Sequence, residues 1–338
     1  MIKQIFQHFA LIFKRFIPQW RLYGFPVAFW SFMHGFKHLW LKRFRFFVAV
    51  KKHRAILQYL HNRYINVIKD FAEKEKSPES GIKPDSTIWV CWWDGEENMP
   101  PLVKACYNLI KRHAGKHPVI LITKDNFSDY IFIPEFILEK ANKKEMTKNM
   151  LANIIRVSLL YEHGGIWLDV TLLVLKDISI AGLPFYSLKT TSKTFSVSHT
   201  LLQLLSSSPA SLNKQSIPEI NHWSTFLLAG AKHSLIFVYI RDMFYAYWKE
   251  HNDLIDYFLF DYIIALGYDN IPCIKNNIDN VANIDYNKFS IEKILDSEYS
   301  EEKFALLAGQ TFYKLTWKKK FNTYTKNNKL TVYGYLIS

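Results

Sequence analysis

The hydrophobic positions of the first twenty residues recur at the spacing of one helical face. Phe6, Phe9, Phe13, Phe16 and Trp20 fall at i, i+3, i+7, i+10 and i+14. This periodicity predicts an amphipathic helix. Three basic side chains interrupt the apolar run, so we expect neither a signal peptide nor a helix that spans a bilayer.

The stretch that follows is apolar but short. Residues 22–36 form an uncharged run of 15 residues, whereas a spanning helix needs about 20. Gly24, Pro26 and Gly35 further weaken this run as a helix, because glycine and proline are the poorest helix formers. We therefore expect no membrane span here.

A linker separates this N-terminal part from the rest of the chain. Residues 57–76 predict one more helix, which ends in charged residues. Residues 77–86, "SPESGIKPDS", are rich in proline, glycine and serine and predict a linker. We divide the chain into a helical extension, residues 1–84, and a second domain, residues 85–338.

Strand and helix patterns alternate after the linker. Residues 87–93, 118–123 and 166–175 predict strands, and residues 100–115 and 144–165 predict helices. This order predicts an α/β fold with a doubly wound, mainly parallel sheet and helices on both faces. In such sheets ligands bind beyond the carboxyl ends of the strands.

The second half of the chain has a less regular pattern. Residues 223–251 predict a strand or turn and then a helix, and residues 253–268 predict another helix. Residues 303–309, "KFALLAG", predict a strand. These elements continue the second domain towards its end.

The basic charge of the chain is concentrated in its N-terminal part. Residues 1–76 contain 15 lysines and arginines but three acidic residues, while the rest contains 28 basic and 27 acidic residues. Aromatic faces with basic residues suit an anionic membrane surface. The alternative is a helical arm whose apolar face packs on the second domain. We expect no nucleic-acid partner, because no recognisable nucleic-acid module accompanies the basic residues.

Composition excludes several classes of site. The chain is 49% hydrophobic, so it can bury a sizeable core. Its three cysteines are too few and too scattered for a disulfide framework or a zinc site, and reduced thiols in a cytosol are the plain interpretation. No phosphate-binding loop motif of an ATPase or a dinucleotide enzyme is present in the sequence.

One carboxylate stands inside an apolar stretch. Asp169 interrupts residues 166–175, and an unpaired carboxylate in a buried strand would cost several kcal/mol. We expect Asp169 where the strand emerges from the sheet, able to accept hydrogen bonds from sugar hydroxyls or to bind a divalent metal. The alternative is a structural carboxylate, which would need a partner close by. Asn153 and Arg156 share one face of the preceding helix. There the guanidinium could grip a diphosphate, or the pair could be a solvated surface.

This segment carries a family resemblance. "NIIRVSLLYEHGGIWLDVT" (153–171) resembles the S-D-x-x-R…L-x-x-x-G-G-x-Y/W-x-D-x-D segment of sugar-nucleotide glycosyltransferases with a DXD motif. It is most similar to the bacterial capsular polysaccharide synthesis protein family, in which the segment tends to end in D-x-T. "IWVCWWDGEENMPPLVKACYNLI" and "YKLTW" also resemble that family. The resemblance covers roughly residues 87–318.

The resemblance implies a GT-A fold and a glycosyltransferase. The donor would be a sugar carried on a nucleoside diphosphate such as UDP, and the acceptor a polysaccharide or a lipid-linked oligosaccharide. The implied donor-binding residues, with their roles, are Trp92 (stacking on the base), Asn153 (a hydroxyl), Arg156 (the diphosphate) and Lys314 (the leaving phosphates). An ordinary core tryptophan and a surface lysine are the alternatives for Trp92 and Lys314.

Two positions depart from the family pattern. Asn153 replaces the acid of the Ser-Asp pair, and Thr171 replaces the second acid of DXD. Asp169 and Thr171 would hold Mn²⁺ or Mg²⁺, with the hydroxyl the weaker ligand. In the second half, one of Asp256 and Asp261 could contact the acceptor or act as general base, and we choose Asp256 first; the alternative is a capping or surface acid.

We therefore predict a cytoplasmic glycosyltransferase of surface-polysaccharide synthesis, held at the inner face of the plasma membrane by residues 1–76. The first alternative is a non-catalytic sugar-nucleotide or polysaccharide scaffold on a degenerate transferase fold. The second is a sugar-phosphate transferase of wall-polymer synthesis. Such an enzyme would release a nucleoside monophosphate rather than a diphosphate.

Overall fold

A five-stranded mixed sheet forms the centre of the molecule. The computed structural model describes residues 2–36, 41–73, 80–189, 223–282 and 291–338. Their strands are β1 (Ile88–Cys91), β2 (Val119–Ile122), β3 (Gly165–Leu168), β4 (Leu172–Val174), β5 (Phe185–Ser187), β6 (Leu227–Gly230) and β7 (Phe312–Lys314). The order across the main sheet is β2-β1-β3-β6-β5. β2, β1 and β3 are parallel, and β6 alone runs against its neighbours β3 and β5.

The helices frame this sheet. They are α1 (Ile2–Tyr23), α2 (Phe25–Gly35), α3 (Lys42–Arg63), α4 (Ile65–Ala72), α5 (Pro101–Arg112), α6 (Glu135–Asn142), α7 (Lys148–His163), α8 (Leu235–Glu250), α9 (Leu259–Asn270), α10 (Pro272–Asp279), α11 (Ile291–Leu295), α12 (Glu301–Ala308) and α13 (Val332–Ile337). The predicted α/β class with a mainly parallel central sheet is confirmed.

Successive residues of the strands point to opposite faces of the sheet and pack into two separate hydrophobic cores. Trp89 and Trp167 point to one face, where they join a large cluster with α6, α7, α8 and α9. Ile88 and Ile166 point to the other face and pack with α5. Burying each such side chain contributes on the order of 1.5–3 kcal/mol. Helices thus cover both faces of the sheet, as the pattern of apolar positions predicts.

The strand predicted over residues 166–175 is broken in two. β3 ends at Leu168, and Asp169 N donates to Phe226 O while Leu172 N donates to Asp169 O, which turns the chain. β4 then leaves the main sheet and pairs with β7 in antiparallel register, with Leu172 opposite Lys314. The continuous strand was therefore a wrong prediction, and the break falls at the motif itself.

Two predictions in the second half need correction. Residues 303–308 belong to α12 and Gly309 caps its end, so the predicted strand is wrong. The Ser300 hydroxyl accepts from Lys303 N, and two glutamates occupy the first turn of this helix. The helix predicted from residue 253 starts only at Leu259. Before it, the Asp256 carboxylate accepts from Phe258 N, a local bond that competes with helix formation.

The N-terminal extension is helical and contacts the main body. Ile56 and Leu60 of α3 and Ile68 and Phe71 of α4 are buried in the same cluster as the sheet helices. The predicted helix 57–76 is divided between α3 and α4, and residues 74–79, including part of the predicted linker, lie outside the described residues. None of the helices in the described residues is long and apolar enough to cross a bilayer.

Candidate functional site

Asp169 is paired on both of its carboxylate oxygens. Oδ1 accepts from Arg156 Nη2 at 2.9 Å and from Trp167 Nε1 at 3.0 Å. Oδ2 accepts from Lys314 Nζ at 2.7 Å. These partners offset the desolvation that an isolated carboxylate would suffer at this position. The side chain remains 25% exposed at the carboxyl edge of the main sheet, so a ligand can reach it.

Arg156 reaches Asp169 from the preceding helix. The Thr147 hydroxyl caps the N-terminus of α7, and the helix ends at two glycines of positive φ. A Cβ on Gly165 would lie 2.3 Å from Thr87 O, so this close turn requires glycine. The turn places α7 beside β3, so that Arg156 Cζ lies 4.8 Å from the centroid of the Trp167 ring.

Both terminal nitrogens of the Arg156 guanidinium donate to protein groups, while its buried Nε has no hydrogen-bond partner among the described residues. Nη2 donates to Asp169 and Nη1 donates to Thr225 O, and the side chain is only 8% exposed. In this arrangement Arg156 orients Asp169 and balances its charge. The predicted contact of Arg156 with a diphosphate stays a prediction.

Lys314 closes the site from the C-terminal part of the chain. It is the last residue of β7, and pairing with β4 fixes its position. Its Nζ donates to Thr171 Oγ1 at 2.6 Å as well as to Asp169 Oδ2. The ammonium therefore links the first and third residues of the Asp169-Val170-Thr171 segment. With 23% of its side chain exposed, Lys314 is the more accessible of the two cations.

Two opposing effects set the charge of Asp169. Burial raises the pKa of this carboxyl, but the charges of Lys314 and Arg156 and the hydrogen bonds from Lys314 and Trp167 outweigh it. The pKa of Asp169 is therefore below its ordinary value. At neutral pH the site holds one carboxylate between two cations.

Of the two second-half acids, Asp261 directly follows Phe260, whose ring centroid lies 5.4 Å from the guanidinium carbon of Arg156. It lies in the first turn of α9 and accepts from Trp223 Nε1 at 3.2 Å. Its charge acts on Arg156, opposing the lowering of the Arg156 pKa by burial. Asp256 instead accepts from Lys52 Nζ of α3 at 2.8 Å and from Phe258 N. The structure thus brings Asp261 to the site and places Asp256 at the contact with the N-terminal helices.

Trp92 lies just after β1, and Asn153 lies on α7. Trp92 follows β1 at the carboxyl edge, is half-buried, and donates from Nε1 to Asn98 O at 3.2 Å. Asn153 lies one turn before Arg156 on α7, with Nδ2 3.9 Å from Met150 Sδ. Among the contacts recorded for the described residues, neither side chain touches Asp169. Their predicted roles towards a donor stay predictions.

Comparison with known proteins places this arrangement in a family. The model of the family described as "Capsular polysaccharide synthesis protein" matches residues 37–336. The chain belongs to the capsular polysaccharide synthesis protein family. The resemblance stated from the segment around Asp169 is confirmed.

Two further proteins are similar to this family member. O-glycosyltransferase braB of Annulohypoxylon truncatum is 28% identical over 97 residues, which covers 26% of this chain and 23% of that protein. The chain thus matches about a quarter of the length of this curated relative. The solved PaToxG glycosyltransferase has a TM-score of 0.39 and 14% identity, covering 70% of this chain and 83% of that one.

Sequence reasoning missed several groups around Asp169 in this capsular-synthesis protein. Trp167 supplies an N–H to the carboxylate and a ring to Arg156, and its position two residues before Asp169 on a strand was a usable signal. Trp223, the Thr225 carbonyl and the Phe260 ring meet Arg156 or Asp261 only through the tertiary fold. No local pattern indicates them.

The residues at the motif do not fit a resident divalent cation. Ca²⁺, Mg²⁺ and Mn²⁺ need several oxygen ligands, of which carboxylates are the strongest. Here each oxygen of Asp169 accepts a hydrogen bond from a cationic side chain, and Thr171 Oγ1 accepts from Lys314. Within the described residues, no group of three or more histidines, cysteines or acids is placed to hold a metal.

Proposed function

We propose that the protein transfers a sugar from a nucleoside-diphosphate donor to a hydroxyl of a polysaccharide or lipid-linked oligosaccharide in capsule or cell-surface polysaccharide synthesis. One observation carries this proposal: a paired carboxylate, Asp169, lies between Arg156 and Lys314 where a strand breaks at the carboxyl edge of the sheet. Ligands of open α/β sheets bind at that edge. Membership of the capsular polysaccharide synthesis protein family supports the polymer class.

The proposed reaction is attack by the acceptor hydroxyl on the anomeric carbon. A bond forms between that oxygen and the anomeric carbon, and the bond from carbon to the diphosphate oxygen breaks with its electron pair. Lys314 stabilises the charge that develops on the leaving diphosphate, since a preorganised cation acts where charge appears. Asp261 receives the proton of the acceptor hydroxyl, directly or through water.

In this proposal Asp169 binds hydroxyls of the donor sugar or ribose. The two oxygens already accept three hydrogen bonds from protein donors, and a carboxylate offers about four acceptor positions, so about one further hydrogen bond is available. Trp92 stacks on the base and Asn153 bonds a donor hydroxyl, within a GT-A-like domain over residues 85–338. A donor that carries UDP is the first to test.

The N-terminal helices support a second part of the proposal, contact with an anionic membrane surface. Phe13, Trp20 and Phe25 expose 61%, 48% and 49% of their surface on α1 and α2. Lys14 and Arg21 are exposed on the same helix as Phe13 and Trp20. Aromatic side chains beside basic ones suit the headgroup region of an anionic bilayer. A peripheral position there would bring the site to a lipid-linked acceptor.

A screen of nucleotide sugars, in which the released nucleoside phosphate is identified and quantified, tests the proposed activity. We expect diphosphate release by the wild-type protein with one donor and a loss of about 10²–10³-fold or more in Asp169→Asn. Asp125→Asn, whose carboxylate is 77% exposed, is the matched control and should keep full activity. Release of a monophosphate would instead favour a sugar-phosphate transferase. Binding without turnover would favour the scaffold alternative.

A further inference from the structure

The Lys314 ammonium lies between Asp169 and Thr171, the two residues that the sequence predicts as metal ligands. Its Nζ lies 2.7 Å from Asp169 Oδ2 and 2.6 Å from Thr171 Oγ1. Both distances are those of short hydrogen bonds from a charged donor. A divalent ion bridging these same two oxygens would overlap with the ammonium or displace it.

The charges around this position also disfavour a second cation. Arg156 donates to the other oxygen of Asp169, so one carboxylate already balances two positive groups. Asp261, on α9, is a further acid whose charge reaches Arg156, and its Oδ1 accepts from Trp223 Nε1. At position 171 a second carboxylate would strengthen metal binding, and this chain has a hydroxyl there, the weaker ligand.

The hydroxyl at position 171 suits a lysine. Thr171 is buried, and its oxygen accepts from the Lys314 ammonium without adding charge. An aspartate there would neutralise the ammonium through a second ion pair. The β4–β7 register holds the two residues together, because Leu315 N donates to Thr171 O beside the side-chain contact.

We infer that Lys314, held by Asp169 and Thr171, replaces the divalent cation and that sugar transfer by this protein needs no metal. This rests on the proposed function. The ammonium supplies the positive charge that the leaving diphosphate requires, and its 23% exposure lets a bound diphosphate meet it at the sheet edge. Thr171 acts as a positioning residue for Lys314.

The test measures diphosphate release by the full-length protein with EDTA and with MnCl₂. Because no metal serves as Lewis acid, wild-type turnover in EDTA should stay within about twofold of turnover in Mn²⁺. Lys314→Ala should lose about 10²–10³-fold in both conditions. Lys318→Ala, an exposed lysine of the same tail, is the matched control and should keep its rate.

The variant Thr171→Asp restores the second carboxylate that a metal site would use. With a second carboxylate that pairs with Lys314, its turnover in EDTA should fall by about tenfold or more, and Mn²⁺ should restore part of it. Titration of MnCl₂ into the protein alone, followed by electron paramagnetic resonance, should show stoichiometric binding to Thr171→Asp and not to wild type. If this variant does not fold, the wild-type comparison still decides.

The outcomes separate the two proposals. Wild-type turnover that requires Mn²⁺ and disappears in EDTA overturns metal independence but leaves the glycosyltransferase proposal intact. Stoichiometric Mn²⁺ binding by the wild-type protein would likewise overturn metal independence and leave the glycosyltransferase proposal intact. Absence of turnover with every nucleotide sugar in both conditions overturns the proposed function and, with it, this inference.

Discussion

At the scale of single residues, the site is organised by the partners of one carboxylate. Asp169 can remain charged in a half-enclosed position because Arg156, Lys314 and Trp167 all donate to it. Removing one charged member of such a group destabilises the protein by more than the ion pair stabilises it, because the remaining buried charges are then uncompensated. Asp169→Asn therefore changes stability as well as activity, because it leaves two cations facing a neutral amide.

The lowered pKa of Asp169 gives a prediction for stability as a function of pH. Its folded pKa is below the unfolded value of about 3.9. The carboxylate therefore contributes stability above that pH, and the contribution is lost as pH falls through the folded pKa. Asp169→Asn should lower the free energy of unfolding by about 1–3 kcal/mol at pH 7, a range reduced from that of fully buried pairs because Asp169 is partly exposed.

Urea unfolding of both proteins at pH 7 and pH 3 measures this contribution. The difference between wild type and Asp169→Asn should shrink at pH 3. Asp125→Asn provides the control, since its carboxylate is exposed and its ion pair with Lys124 spans 3.6 Å. A difference that is equal at the two pH values would contradict the linkage described here.

At the scale of elements, the site depends on where helices and strands stop. α7 ends at Gly164 and Gly165, β3 ends one residue before Asp169, and β4 turns away to pair with β7. The apolar periodicity of residues 166–175 hid this break. Periodicity reports which side chains are buried but not which sheet buries them, and the partner strand β7 lies far along the chain.

The glycine turn gives a prediction at this scale. Gly165 has φ +104, and an added Cβ would lie 2.3 Å from Thr87 O. Gly165→Ala should therefore destabilise the protein by about 1–3 kcal/mol or more and reduce diphosphate release, because α7 would shift with Arg156. Thermal unfolding and the release assay measure the two effects.

Gly115→Ala is the matched control for this strain. Gly115 also has positive φ, +58, but an added Cβ there would meet nothing within 4 Å. Gly115→Ala should lower the free energy of unfolding only by the cost of a left-handed backbone at alanine, about 1–2 kcal/mol. Turnover per folded molecule should be unchanged. If Gly165→Ala and Gly115→Ala change turnover equally, the Gly165 turn does not position Arg156 in the way described here.

The local part of the site could be predicted from sequence, and the distant part could not. Residues 153–171 carry Arg156, the glycine turn and Asp169 within one helix and one strand, so spacing alone indicates their proximity. Lys314 joins them from β7, and only the family resemblance suggested it. The choice of Asp261 over Asp256 depends on where α9 begins, which a local bond at Phe258 decides.

At the scale of the whole molecule, the N-terminal helices have two different surfaces. α3 and α4 contribute buried residues to the main core, and Lys52 pairs with Asp256. Tyr23, at the end of α1, donates to Asp253 O at 2.9 Å. Deleting residues 1–76 would expose this core, so point substitutions are the sharper test of membrane contact. α3 and α4 pack on the main body as the alternative predicts. α1 and α2 bury Tyr23 and Val27 in the same core but keep large exposed aromatics.

Replacing two of those aromatics should separate membrane contact from folding. Phe13→Ser with Trp20→Ser removes side chains that are 61% and 48% exposed. Sedimentation with vesicles of anionic lipid should fall by about tenfold or more, since an interfacial helix binds through its apolar face and its basic residues together. The melting temperature should change little.

Phe132→Ser is the matched control, because Phe132 is 83% exposed but lies in the main body between β2 and α6. It should sediment like wild type. Vesicles of neutral lipid should bind all three proteins weakly, since the basic residues of α1 then find no opposite charge. Equal sedimentation of the double variant and wild type on anionic vesicles would leave α1 and α2 without the membrane role proposed for them, and the basic charge of the extension would then need another partner.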